Sequence, residues 1–306
     1  MIVTALVDNS RLENRPDLGV ERGLSLHIST MGKQLLFDAG SGQTFCDNAA
    51  RLGIRIQDVD AVAISHRHHD HCNGVSHFID RNTSASIYFR DCESQDYRFK
   101  AFGFSSNVGI DKSLLDELLF NKSLFNKGLF DKGLSDKGLP GKNNTQLNLI
   151  QDTTEILPNV FLITNINQKY PQPKGNQYLY TESENGCQHD SFDHELMMVV
   201  KEEDGLIVFT GCAHNGVLNM VDTAVTLFPD TRIKAVVGGF HLVGLPVFNS
   251  IGGSKEDIRE IGKQLLSYPI DKLYTGHCTG MKAFGLLKEV LGDKLEHLPT
   301  GRRVDV

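Results

Sequence analysis

The stretch Val59–Gly74, V-D-A-V-A-I-S-H-R-H-H-D-H-C-N-G, constrains this chain more than any other part of it. The apolar run Val59–Ile64 predicts a strand covered on both faces, and it gives way at once to His66, His68, His69, Asp70 and His71. A buried strand therefore delivers a packed group of metal-type side chains to a single loop. Five of the 12 histidines fall between His66 and His77, a concentration that a solvated turn does not require. Imidazole combined with carboxylate suits zinc, iron(II) or manganese. Past the strand end, His66 and His68 can point the same way, while Asp70 and His71 sit one step further round and can face a second ion. Two such ions, about 3.5–4 Å apart, can hold a bridging hydroxide and clamp a reacting oxygen.

The motif H-R-H-H-D-H resembles the H-x-H-x-D-H signature of the metallo-β-lactamase superfamily, and the flanking segments agree with it. L-L-F-D-A-G at Leu35–Gly40 looks like the superfamily's first motif, which implies that Asp38 braces the metal site. L-V-D-N near Asp8, G-L-S-L-H-I at Gly23, T-G-C-A-H-N-G at Thr210, G-G-F-H-L at Gly238 and T-G-H-C-T-G at Thr275 are similar to a narrower branch. That branch contains pterin-forming synthases of the methanopterin type and hydrolase-like relatives. The resemblance implies an α/β fold, a four-layer αβ/βα sandwich in which two mixed β-sheets pack face to face with helices outside. It also implies one domain over residues 1–306.

The implied centre holds two divalent ions, zinc first, with iron or manganese as alternatives. His66, His68 and His214 would hold one ion; Asp70, His71 and His277 would hold the other. Asp38, Asp70 and His241 form the expected catalytic set. In many relatives a third-motif histidine precedes the strand Glu195–Val200, so His189, Asp190 and His194 are further candidates. At Thr210 relatives often carry a bridging aspartate where this chain has Cys212. Either Cys212 takes that place or His214 supplies the ligand, and imidazole, the general-purpose ligand, favours His214. His277 looks like the last ligand, leaving His241 as proton donor or oxyanion stabiliser, although these two roles could be exchanged. Asn9 could reach the substrate, or simply form an Asx-turn.

The expected function is that of a metal-dependent hydrolase, in which a bridging hydroxide attacks a small anionic ester or phosphate-type substrate. The alternatives are a pterin-forming transferase and a ligand-binding or sensing member of the fold without turnover. A net charge of −7 provides no basic field for nucleic acid, and no apolar run approaches membrane-spanning length. With no leader at Met1 and six scattered cysteines, a cytoplasmic protein is expected.

The rest of the chain reads as alternating strands and helices. Arg11–Arg22, charged and broken by Pro16 and Gly19, is expected to be a mobile loop. Between about 112 and 142 a five-residue repeat places Leu119, Leu124, Leu129, Leu134 and Leu139 at even spacing. Five residues advance a helix by about 500°, so these leucines form no stripe. The segment is expected to be a flexible insertion, removable from Ser113 to Lys142. Its Phe120, Phe125 and Phe130 offer either a lid over the cleft or a contact with a second copy of the chain.

Overall fold

The computed structural model describes residues 1–93, 96–116, 118–119, 146–183, 186–245 and 250–306. In chain order, β1 (Ile2–Val7), β2 (Ser25–Thr30), β3 (Lys33–Phe37), β4 (Ala61–Ala63) and β5 (Ser86–Arg90) are followed by β6 (Asp96–Ala101), β7 (Phe104–Asn107) and β8 (Gln146–Ile150). Then come β9 (Thr154–Leu157), β10 (Val160–Ile163), β11 (Leu179–Ser183), β12 (Gly186–His189), β13 (Met197–Glu202) and β14 (Gly205–Thr210). The last are β15 (Ile233–Gly238), β16 (Ile270–Thr275), β17 (Leu295–His297) and β18 (Arg303–Asp305).

Two seven-stranded sheets run β18-β1-β2-β3-β4-β5-β8 and β17-β16-β15-β14-β13-β10-β9. Both are mixed, with antiparallel pairs on one side and parallel pairs on the other. Period-two alternation decides which side chain faces which layer. Leu35 and Phe37 point into the space between the sheets, where they pack with Val200, Ile207 and Phe209. Leu36, between them, points outward against Phe45 and Phe78. On the far side, Val199, Val208 and Val236 meet the helices Val217–Leu227, Lys255–Leu266 and Met281–Leu291. The layers are therefore helix, sheet, sheet, helix, as expected. Ser254 and Asp257 open the second of these helices with a reciprocal capping box. Among the described residues no helix is long and apolar enough to cross a membrane.

Three features depart from the expectation. First, β12-β11-β6-β7 form a separate four-stranded sheet outside the two sheets of the sandwich. Second, Arg11–Arg22 is tied down: Leu18 is buried, the Arg11 guanidinium donates to the Leu18 carbonyl, and Gly19 N donates to Asn48 Oδ1. Third, Lys112–Asp116 is helical, and Leu114, Leu115 and Leu118 are buried in the first outer core. A removable segment cannot begin at Ser113. Residues 120–145, with most of the repeat, lie outside the described residues.

The C-terminal ends of the parallel strands β3, β4, β14, β15 and β16 open onto the same edge of the sandwich. This is where the His- and Asp-bearing loops converge.

Candidate metal centre

Each loop that brings a side chain to this edge must turn sharply away from its strand. Asp38, Ala213, His241 and His277 make that turn with φ of 62°, 58°, 46° and 46°. Left-handed backbone at residues other than glycine costs about 1–3 kcal/mol apiece and persists where the surroundings enforce it. Gly211, after β14, is demanded by contact: a Cβ there would lie 1.9 Å from Ser65 Oγ.

Two triads result. In the first, His66 Nε2 lies 3.1 Å from His68 Nδ1, and the His214 ring centroid is 4.9 Å from each of theirs. In the second, His71 Nε2 is 3.1 Å from His277 Nε2, with Asp70 oxygens 3.9 and 3.8 Å from these two nitrogens. Within each triad the three ligand-type atoms all lie within 4.8 Å of one another. The His66 and His71 rings, 4.2 Å apart, join the triads. Cys212 Sγ sits 3.2 Å from His71 Nε2 and 3.4 Å from His277 Nε2, so the structure brings Cys212 and His214 to the cluster together.

The outer nitrogens of four rings are held from behind. His71 Nδ1 meets Asp38 Oδ2 at 2.6 Å, His277 Nδ1 meets Asn9 Oδ1 at 3.0 Å, and His214 Nδ1 meets Asn176 Oδ1 at 3.1 Å. Ser65 Oγ donates its one proton to Asp38 Oδ2, so at 2.8 Å it accepts from His66 Nδ1. With these four Nδ1 atoms carrying the proton, each of the four neutral rings turns an Nε2 lone pair inward, while His68 turns its Nδ1 towards His66 Nε2 and its Nε2 towards Asp190. Two such lone pairs 3.1 Å apart, on His71 and His277, cannot bond to each other; they require a cation or a proton. The buried His68 Nε2 and His214 Nε2 have no hydrogen-bond partner. A donor set of imidazole and carboxylate, oriented from behind by amide, hydroxyl and carboxylate groups, fits divalent metal.

Residues 18–91 match the family profile of the metallo-β-lactamase superfamily. That segment carries the superfamily's profile, and the chain as a whole has the metallo-β-lactamase fold. It is similar, at 24% identity over 92% of its length and 89% of the relative's, to 7,8-dihydropterin-6-methyl-4-(beta-D-ribofuranosyl)-aminobenzene-5'-phosphate synthase of Methanocaldococcus jannaschii. An uncharacterised protein of the same archaeon is 23% identical over 94% of both chains. A solved structure described as a metal-dependent hydrolase of the β-lactamase superfamily is 25% identical, with a TM-score of 0.75 over 100% of this chain and 99% of the other.

Electrostatics divide the metallo-β-lactamase site into unequal halves. Burial, reinforced by neighbouring rings, pushes His66 and His214 well below the usual imidazole range and His68 down to about 3. Burial also opposes charge on His71, yet Asp38 and Asp70 overcome it and hold that ring up at about 9. Burial lowers His277. For Asp70 burial works upward, but His71, His277 and Arg22 together hold its carboxyl below the ordinary value.

The remaining candidates sort by position. His241 has its ring 4.1 Å from that of His214 and groups with Cys212 and Cys278 rather than with Asp70 and His71. Its Nδ1 is buried without a partner. His194 is near His68 but has both nitrogens engaged, Nδ1 accepting from Arg67 N at 3.0 Å and Nε2 meeting Asp190 Oδ2 at 3.1 Å. Asp190 Oδ2 lies 3.9 Å from His68 Nε2. His189 is elsewhere, stacked on Tyr180 on the small sheet.

Sequence reasoning missed three braces. Asp8 accepts from His277 N at 2.5 Å, Glu195 accepts from His214 N at 2.8 Å, and Asn176 holds His214 at both its ring and its carbonyl. Only Asp8 left a signal, as an acidic residue at a strand end one position before Asn9.

Proposed function

We propose that the chain is a metal-dependent hydrolase acting on a small anionic ester or phosphate-type substrate. The observation that carries this reading is the convergence of buried imidazole nitrogens, Nε2 of His66, His71, His214 and His277 and Nδ1 of His68, with the Asp70 carboxylate in two adjoining triads. His66, His68 and His214 would hold one divalent ion, and Asp70, His71 and His277 a second, with Cys212 between them. Ions held there supply Lewis-acid charge stabilisation and lower the pKa of an attacking water. Asp38 fixes the tautomer of His71 and, through Ser65, that of His66. His241, beside His214 with an unengaged Nδ1, is placed to deliver a proton to the leaving group. Arg22, 3.6 Å from Asp70 at the mouth of the site, offers a cation to an anionic substrate.

The likeness to the archaeal synthase along most of both chains favours a second reading, in which the same centre assists loss of a phosphate-type leaving group to an acceptor other than water. A binding protein without turnover is the third. Metal analysis of purified protein should find about two equivalents. A panel of phosphodiesters, thioesters, lactones and a dihydropterin diphosphate with an arylamine acceptor, run on wild type and His68→Ala, then separates the three. Hydrolysis lost in the variant supports the hydrolase, turnover only with the arylamine supports transfer, and ligand binding without turnover supports the third reading.

A further inference from the structure

The small sheet β12-β11-β6-β7 is not needed to close the sandwich, and its two faces differ. Residues directly opposite in antiparallel strands share a face, so the pairings Leu179↔Phe99 and Phe99↔Ser106 make one row across three strands, with Thr181↔Tyr97 the row beside it. Tyr97, Thr181 and Leu179 are buried. The alternate residues lie on the opposite face, where Arg98 and Glu182 pair at 3.0 Å and Lys100 stands over the Tyr180 ring. The buried face is turned to the metal triads: the Tyr97 ring lies 4.3 Å from that of His194 and 5.9 Å from that of His68.

One row further out this face becomes the wall of an open cleft of about 370 Å³, within the usual range for small-molecule sites. Phe99, Val108 and Leu179 line it together with His68, Asp70 and His277. Arg22, its side chain 62% exposed, stands at the rim. A wholly polar substrate would leave the half-buried Phe99 ring in water. We propose that the substrate combines an aromatic ring, packed against Phe99, with an anionic group lying between the triads and Arg22. This makes the small sheet the specificity wall of the site. The inference rests on the metal-dependent reading above.

The test uses the full-length, zinc-loaded protein and measures binding of phenylphosphonate and methylphosphonate by calorimetry. The two probes share the anion and differ only in the ring. Wild type should bind phenylphosphonate about tenfold more tightly or better, because the ring buries apolar surface. Phe99→Ala should bring the two affinities within about twofold of each other, mainly by weakening phenylphosphonate. Ser106→Trp, on an exposed strand position that tolerates a large side chain, should exclude phenylphosphonate while leaving methylphosphonate in place. Phe102→Ala, in the β6–β7 turn and 77% exposed, should change neither. Equal binding of both probes by wild type, or a ring preference that survives both Phe99→Ala and Ser106→Trp, overturns the specificity wall and leaves the metal centre standing. If neither probe binds the zinc-loaded protein, the anion-binding centre itself is refuted and the wall with it.

Discussion

The two triads lie side by side but are built on opposite electrostatic plans. His66, His68 and His214 are three imidazoles without a carboxylate among them, the rings of His66 and His214 are backed by the neutral Ser65 and Asn176, and burial keeps all three unprotonated. Asp70, His71 and His277 include one carboxylate, and a second, Asp38, bonds the His71 ring directly, so that His71 retains affinity for a proton. A cation entering the first triad displaces nothing, whereas one entering the second competes with the His71 proton. Adjacent sites can thus differ in metal affinity through their donor sets and their backing together.

Ligand removal should separate the triads most strongly. His66→Ala and His71→Ala are each expected to lose about one metal equivalent and to reduce turnover by more than about 100-fold, beyond the usual cost of losing an outer partner. Retention of both equivalents by His71→Ala, measured by elemental analysis, would dissolve the second triad as a site. Next in size, Asp38→Asn should weaken metal at the second triad by about 10–100-fold. Ser65→Ala should act more weakly, on the first triad. The reverse order in a competitive chelator titration would break the contrast in backing.

Proton competition sharpens the comparison in the chelator-treated protein. His68 has a folded value of about 3 against an ordinary 6.5, so the unfolded chain takes the proton first. Its contribution to stability is complete above about 6.5 and is lost as pH falls towards 3; the lowered values of His66 and His214 act in the same sense. His71, raised to about 9, contributes fully below about 6.5 and loses that contribution as pH rises through 9. Metal-free protein should therefore melt highest near neutrality, and zinc should flatten the alkaline arm by replacing the proton. Thermal melts from pH 3 to 10, with and without chelator, check this; an alkaline arm unchanged by zinc contradicts it. The smallest effects are expected for Asn9→Ala and Asn176→Ala, each removing a neutral hydrogen bond worth about 1 kcal/mol. Their metal affinities should fall only a few-fold.

Much of this centre was legible because its chemistry is local in sequence. His66, His68, Asp70 and His71 occupy one turn, and His214, His241 and His277 each follow a glycine-marked strand end. The braces were hidden because their partners are remote: Asp8 meets His277 across 269 positions, and nothing near either residue announces the other. The small sheet escaped for the same reason, with Arg98 and Glu182 paired across 84 positions. At the start of the repeat, the five-residue period drew attention from Leu114, Leu115 and Leu118, whose i, i+1, i+4 spacing is helical. Their burial means that a deletion beginning at Ser113 would strip the outer core, each lost leucine costing about 2–5 kcal/mol.

The small sheet also bears on how the molecule assembles. Its inner strands come from opposite sides of the long central stretch of chain, so β6 and β11 cannot zip together until much of the polypeptide between them has been gathered in. Pairings across such separations carry a large loop-closure cost and tend to form late. On this ordering, the histidine turn, whose ligands are close neighbours in the chain, takes shape before the wall opposite it. A nascent molecule would then pass through a stage in which His66, His68, Asp70 and His71 face open solvent, and a cation could reach them along a path that the finished protein narrows to a cleft.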